Sequence, residues 1–156
     1  QVYQASLENP SLNGMGTTAT ALHTDGNKAY LSHIGDTRLY LIRHGLLYQL
    51  TQDHTLLEEQ KTKSNPVEDL TTQQLESVLS RFLGAHETEI TDNIEIQLES
   101  KDKILICSDG LYSSLNDQVI SQTMEQHGVD ACSLLVELAN TAGGHDNITG
   151  ICVEVI

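Results

Sequence analysis

The sequence is short of positive charge. Eight Lys and Arg stand against 22 Asp and Glu in 156 residues, a formal net charge of −14. Nucleic-acid binding relies on basic side chains that neutralise phosphates, so this balance argues against a nucleic-acid partner and disfavours an anionic membrane surface. No apolar run approaches the ~20 residues that a membrane-spanning helix needs. Cysteine is sparse too: Cys107, Cys132 and Cys152 form no CxxC pair and are odd in number. They read as small buried residues of an intracellular protein rather than as disulfides or zinc ligands, and a cytoplasmic location is expected. A Walker loop is missing. Asn13-Gly14-Met15-Gly16-Thr17-Thr18 has paired glycines but no Gly-Lys-Ser/Thr, and reads as a tight turn into a Thr-rich strand. The initiator Met is missing as well, so Gln1-Val2-Tyr3 is expected to follow a removed upstream segment.

What remains is globular in kind. Hydrophobic content of 38% and charged content of 19% suit one domain long enough to bury a core. The acid excess has two common uses, solubility and the binding of divalent cations, and composition does not choose between them. No internal repeat or low-complexity segment is present.

The organising stretch is Ile104-Leu105-Ile106-Cys107-Ser108-Asp109-Gly110-Leu111. A short β-rich run bounded by a turn signal reads as a buried strand, and Ser-Asp-Gly after it predicts a carboxylate on a sharply turning loop. Gly143-Gly144-His145-Asp146-Asn147-Ile148-Thr149 answers it, with an acid just before a final strand over 148–155. If these strands run antiparallel, Asp109 and Asp146 converge at one sheet edge.

Upstream, a helix over 1–9 is closed by Asn9-Pro10. Strands over 17–24 and 28–35 flank the hairpin signal Asp25-Gly26-Asn27. Further strands over 38–43 and 46–50 turn at His44-Gly45, so an antiparallel meander is expected, with Asp36 at a corner. Asp53 is a plausible helix cap before Leu56. Residues 61–72 are polar and suit a surface loop or flap. Strands near 94–98 and 103–107 flank a turn at Ser100-Lys101-Asp102. Asn116 caps a helix to about His127, and Asp130 caps another. Ala131, Leu134, Leu135, Leu138 and Ala139 line one apolar face of that second helix, and Gly143-Gly144 stops it. His54, His127 and His145 read as turn or surface residues, and none is nominated for chemistry.

Three acids thus stand at strand ends or corners: Asp36, Asp109 and Asp146. Carboxylates without a His or Cys ligand set suit hard cations such as Mg²⁺ or Mn²⁺. Such ions acidify water and clamp phosphoryl groups, which points to metal-assisted hydrolysis of phosphate esters.

The order of five motifs resembles that of the bacterial PP2C-type (PPM) serine/threonine phosphatases. They are Gly14-Met15-Gly16-Thr17-Thr18, Ile34-Gly35-Asp36-Thr37-Arg38-Leu39-Tyr40, Leu50-Thr51-Gln52-Asp53-His54-Thr55, Cys107-Ser108-Asp109-Gly110-Leu111 and the 143–149 segment. The resemblance implies an α+β fold, a sandwich of two antiparallel β-sheets flanked by α-helices. It implies a cleft holding two catalytic Mn²⁺ or Mg²⁺ ions with a third, weaker one. It also implies metal-dependent dephosphorylation of phosphoserine and phosphothreonine in proteins, without a covalent phosphoenzyme. By position, Asp109 and Asp146 match ligands of one catalytic metal, and Asp36 matches the acid that joins Asp109 at the weaker one. Residues 55–80 match a short flap. A phosphoprotein substrate and a Ser/Thr kinase in the same pathway are the implied partners.

Family members carry further groups before the Gly-Met-Gly-Thr-Thr segment. These are an Arg for the substrate phosphate, an acidic residue near it, and an Asp-Gly whose Asp bridges the catalytic metals. None has a counterpart here. The sandwich is therefore expected to be incomplete at its N-terminus, and these 156 residues alone to have little or no activity. Uncovered sheet edges are expected to be met by dimerisation, by exchange of elements or by a bound N-terminal segment. A non-catalytic relative that binds a phosphoprotein or regulatory partner is the alternative.

Overall fold

A computed structural model describes residues 1–62 and 71–156. Helix α1 (Val2–Glu8) ends at Asn9, which takes an extended φ of −127° before Pro10. Strands β1 (Ala19–Asp25) and β2 (Lys28–Ile34) form a hairpin whose two-residue turn opens on Gly26 at φ +58°. Strands β3 (Arg38–Arg43) and β4 (Leu46–Gln49) form another. Both of its turn residues, His44 (φ 52°) and Gly45 (φ 77°), are left-handed, which matches the twist of the flanking strands.

The two hairpins do not continue into one meander. One sheet has the order β1-β2-β5, with β5 at Asp92–Gln97. The other has the order β4-β3-β6-β7, with β6 at Lys103–Cys107 and β7 at Gly150–Glu154. The chain changes sheet at the Gly35–Asp36 corner, and again between β5 and β6. Read from sequence, one meander runs through the Asp36 corner and a turn falls at Ser100-Lys101-Asp102, because local turn signals carry no information about which strand lies alongside.

Helix α2 (Leu56–Thr62) starts after Thr55, whose Oγ1 accepts from the Glu58 amide at 3.4 Å. The cap is therefore Thr55 and not Asp53. Helix α3 (Thr72–Ser77) opens on a capping box of Thr71 and Gln74. Of the 55–80 flap, residues 63–70 lie outside the described residues. Beyond β6 come α4 (Asp109–Tyr112), α5 (Asp117–His127), capped by Asn116 at 3.0 Å to the Val119 amide, and α6 (Ala131–Thr141). Asp130 stands at the N-cap of α6 but makes no side-chain capping bond.

Two compact units divide the chain. The first comprises Gln1–His23, Tyr30–Asp36 and Gln52–Ile94; the second comprises Thr24–Ala29, Thr37–Thr51 and Glu95–Ile156. The second unit's core lies against β6, the strand between β3 and β7. Arg38 and Gly150 both face Cys107 in the ladder, and Ile42 and Glu154 both face Lys103. Leu105, Cys107 and Tyr40 pack with Leu111, Ile120 and Met124, and with Ala131, Leu135 and Ala139 of α6. That α6 triad lies on the predicted apolar face.

Asp102, read from sequence as a turn residue, is 1% exposed. Arg43 Nε donates to its Oδ1 at 2.8 Å and Nη2 to its Oδ2 at 2.6 Å, and the Glu99 amide donates to Oδ2 at 2.8 Å. Burial alone would push the Asp102 carboxyl up. The bonds from Arg43 and from the Glu99 amide overcome burial and hold it below the usual carboxylate range. Replacing Arg43 by Met should leave this carboxylate buried and unpaired, at a cost of about 3 kcal/mol in urea unfolding. A depressed folded pKa stabilises above the unfolded carboxylate value and loses that stabilisation as pH falls through the folded value. The difference between wild type and Arg43→Met should therefore be full at pH 7 and shrink below about pH 4.

Candidate metal centre

The segments that bear two predicted acids, Asp109 and Asp146, meet by backbone packing at one end of the four-stranded sheet. Cys107 pairs with Gly150 at the last rung of the β6–β7 ladder, so the residues after β6 meet those before β7. Ser108 fastens them. Its amide donates to the Thr149 carbonyl at 3.0 Å, its hydroxyl donates to the Asn147 carbonyl at 3.1 Å, and the same hydroxyl accepts from the Thr149 amide at 3.0 Å. Gly110 then comes so close that a Cβ there would lie 2.5 Å from the Asn147 carbonyl oxygen. Glycine is required here by this contact. The sharp loop expected from Ser-Asp-Gly is in fact the first turn of α4.

Asp109 and Asp146 flank this contact, each one residue from a partner in it. Asp109 Oδ1 accepts from the Gly110 amide at 2.9 Å, and Asp146 Oδ1 accepts from the Asn147 amide at 2.6 Å. Each carboxylate is thus oriented by the amide that follows it. Among the described residues, neither acid has a Lys, Arg or His partner in an ion pair. Arg38 lies 3.7 Å above the Tyr112 ring centroid on α4, and its Nη1 donates to the buried Tyr40 hydroxyl at 3.0 Å. Burial raises the Tyr40 hydroxyl to about 12 against the opposing pull of Arg38. His145, next to Asp146, sets its ring against Gly143.

Oxygen donors fit a hard divalent cation, and Asp109 and Asp146 are the residues of the second unit that would hold one. The set is small. Among the described residues, no group of three or more His, Cys, Asp and Glu side chains is placed to hold a metal ion. Asp36 belongs to the first unit, at the β2–β3 corner, where it is half-buried.

That corner rests on residues that sequence reasoning passed over. Gly35 has φ +110°, and a Cβ on it would fall 2.3 Å from Thr18 Cγ2. His54, expected as a turn or surface residue, is instead buried and binds this corner. Its amide donates to the Gly35 carbonyl at 2.8 Å, and its Nδ1 accepts from the Gly35 amide at 3.0 Å. His54 Nε2 is 3.0 Å from Asp92 Oδ2, and Arg81 Nη1 donates to Asp92 Oδ1 at 2.9 Å. Burial would raise the Asp92 carboxyl, but the Arg81 and His54 bonds hold it below the usual range. A second buried imidazole, His33, lies 4.8 Å from the His54 ring between Thr20 Oγ1 and the Gln52 carbonyl. Burial and the neighbouring His54 push its pKa down. The position of His54 in the quoted Asp53-His54-Thr55 motif was the one sequence signal for it.

The family model for protein phosphatase 2C matches residues 3–61. The serine/threonine protein phosphatase PstP of Mycobacterium tuberculosis is 37% identical over 156 residues, which span 98% of this chain and 30% of that protein. The chain spans about three fifths of other curated relatives that it matches. The catalytic domain of PstP in complex with two manganese ions is similar at a TM-score of 0.85 and 34% identity, over 99% of this chain and 65% of that one. The PPM Ser-Thr phosphatase MsPP of Mycobacterium smegmatis is similar at a TM-score of 0.78 and 30% identity, over 99% and 71%. The fold is therefore the α+β arrangement of two antiparallel sheets with flanking helices seen in those phosphatases.

Gly110→Ala should force residues 108–110 away from 146–149, since backbone cannot yield as a flexible side chain does. We expect a loss of about 1–3 kcal/mol in thermal or urea unfolding. Ser114→Ala, beyond the contact, should be near neutral.

Proposed function

Since the chain belongs to the protein phosphatase 2C family, we propose that its parent protein hydrolyses phosphoserine and phosphothreonine in proteins with Mn²⁺ or Mg²⁺. The observation that carries this reading is the pair Asp109 and Asp146, joined across a glycine-dependent backbone contact and given no basic partner among the described residues. Asp109 and Asp146 would hold one catalytic cation, and Asp36 is a further ligand position for a weaker one. A cation of this class supplies acidified water and charge neutralisation for phosphoryl transfer. The chain's own contribution is orientation. The Gly110 and Asn147 amides aim the two carboxylates, and Ser108 holds the segments that bear them.

Residues 55–80 would serve as the flap beside this site. A phosphoprotein substrate follows from the family, and a Ser/Thr kinase of the same pathway is the partner that would supply it. A cytoplasmic location suits that substrate; no helix among the described residues is long and apolar enough to cross a membrane. These 156 residues alone would act weakly or not at all. Dimerisation or association with an N-terminal segment would cover the open sheet edges. A second reading, a non-catalytic relative that binds a phosphoprotein, draws support from the two-acid donor set.

The test is Mn²⁺ titration together with hydrolysis of a phosphoserine peptide. The chain should bind Mn²⁺ weakly, and Asp109→Asn or Asp146→Asn should abolish binding with little change in unfolding. Affinity unchanged in both variants would remove the assignment. Mn²⁺-dependent turnover that Asp109→Ala abolishes would show that the site assembles within these residues, against the weak activity expected of them.

A further inference from the structure

A backbone amide can only donate a hydrogen bond. Because the Gly35 amide donates to His54 Nδ1 at 3.0 Å, that ring nitrogen carries no proton. The ring proton therefore sits on Nε2 and is donated to Asp92 Oδ2 at 3.0 Å. Arg81 holds Asp92 with Nη1 at 2.9 Å from Oδ1 and Nη2 at 3.4 Å from Oδ2. A carboxylate that accepts from one nitrogen of a histidine fixes which nitrogen is left to accept, and fixes the ring plane with it. The order is thus Arg81 to Asp92 to His54 to Gly35, and all four lie within the first unit.

Gly35 is held at both its polar groups by this one residue. Its carbonyl takes the His54 amide and its amide feeds the His54 ring, and Thr18 fills the space that a Cβ on Gly35 would need. The next residue is Asp36. We infer that His54 is the positioning residue for Asp36: its ring, oriented by Asp92 and Arg81, sets the backbone of the corner and hence where the Asp36 carboxylate is offered. This inference rests on the reading of Asp36 as a cation-ligand position. It gives an account of a buried imidazole whose polar atoms are spent on a turn rather than on chemistry.

Two substitutions separate the halves of the relay. In His54→Asn the side-chain oxygen can take the place of Nδ1 and accept from Gly35. In His54→Gln the side-chain nitrogen can take the place of Nε2 and donate to Asp92, but nothing accepts from Gly35. Mn²⁺ alone is the probe, read as paramagnetic broadening of the Asp36 amide signal beside thermal unfolding. His54→Gln should weaken the Mn²⁺ response at Asp36 about tenfold, and His54→Asn should largely restore it even where the two variants melt alike. Broadening in wild type with the same response in both variants would overturn the inference and leave the metal reading standing. Absence of broadening in wild type would overturn Asp36 as a ligand position, and the inference with it. Nitrogen-15 shifts of the wild-type ring give a check that needs no variant to fold. A protonated Nδ1, or no coupling between the Gly35 amide and Nδ1, would overturn it directly.

Discussion

The second unit depends on a place where two backbones touch without a side chain between them. Gly110 approaches the Asn147 carbonyl to a distance that no Cβ could share, and Ser108 spends its amide and hydroxyl on the same neighbouring segment. This contact follows from the β6–β7 register, because Cys107 facing Gly150 delivers the two segments to each other. A one-residue slip would send Leu105 and Cys107 to the opposite face. The packing of those two side chains against Leu111, Leu135 and Ala139 holds the register in place. Core and site therefore share one constraint.

Scarce positive charge is spent with care in this molecule. Arg43 holds buried Asp102, Arg81 holds Asp92, Lys28 meets Glu95 and Lys103 meets Glu125. With 22 acids and eight basic residues, some carboxylates must go without protein cations. Asp109, half-buried, and Asp146, exposed, each accept a bond from the amide that follows, on two segments joined through Ser108 and Gly110.

The first unit solves a different problem, that of turning the chain sharply after β2. Gly35 provides the left-handed backbone, Thr18 fills the space a Cβ would need, and the buried His54 binds both backbone polar groups of Gly35. The His33 ring lies 4.8 Å from the His54 ring, and burial together with that neighbour pushes the His33 pKa down.

What could be read from the chain alone was whatever depends on neighbours in sequence. The Asn116 cap, the Gly26 and Gly45 turns, the break at Pro10 and the apolar face of α6 are local physics, and each stands where it was expected. The meeting of the segments after β6 and before β7 was also legible, because the two strands could be recognised and paired. The meander was misread at Gly35–Asp36, since a turn signal does not say which sheet the next strand joins. Burial of Asp102 and His54 was hidden for a related reason. A polar side chain enters the interior only when distant partners satisfy it, and Arg43 lies 59 positions from Asp102 and Asp92 lies 38 from His54. Sequence determined most of the strands, the two long C-terminal helices and the acids, while the cap of α2 and the helical turn of α4 departed from it. Tertiary structure decided which strands became neighbours and which polar groups could be buried, because both depend on contacts between residues far apart along the chain.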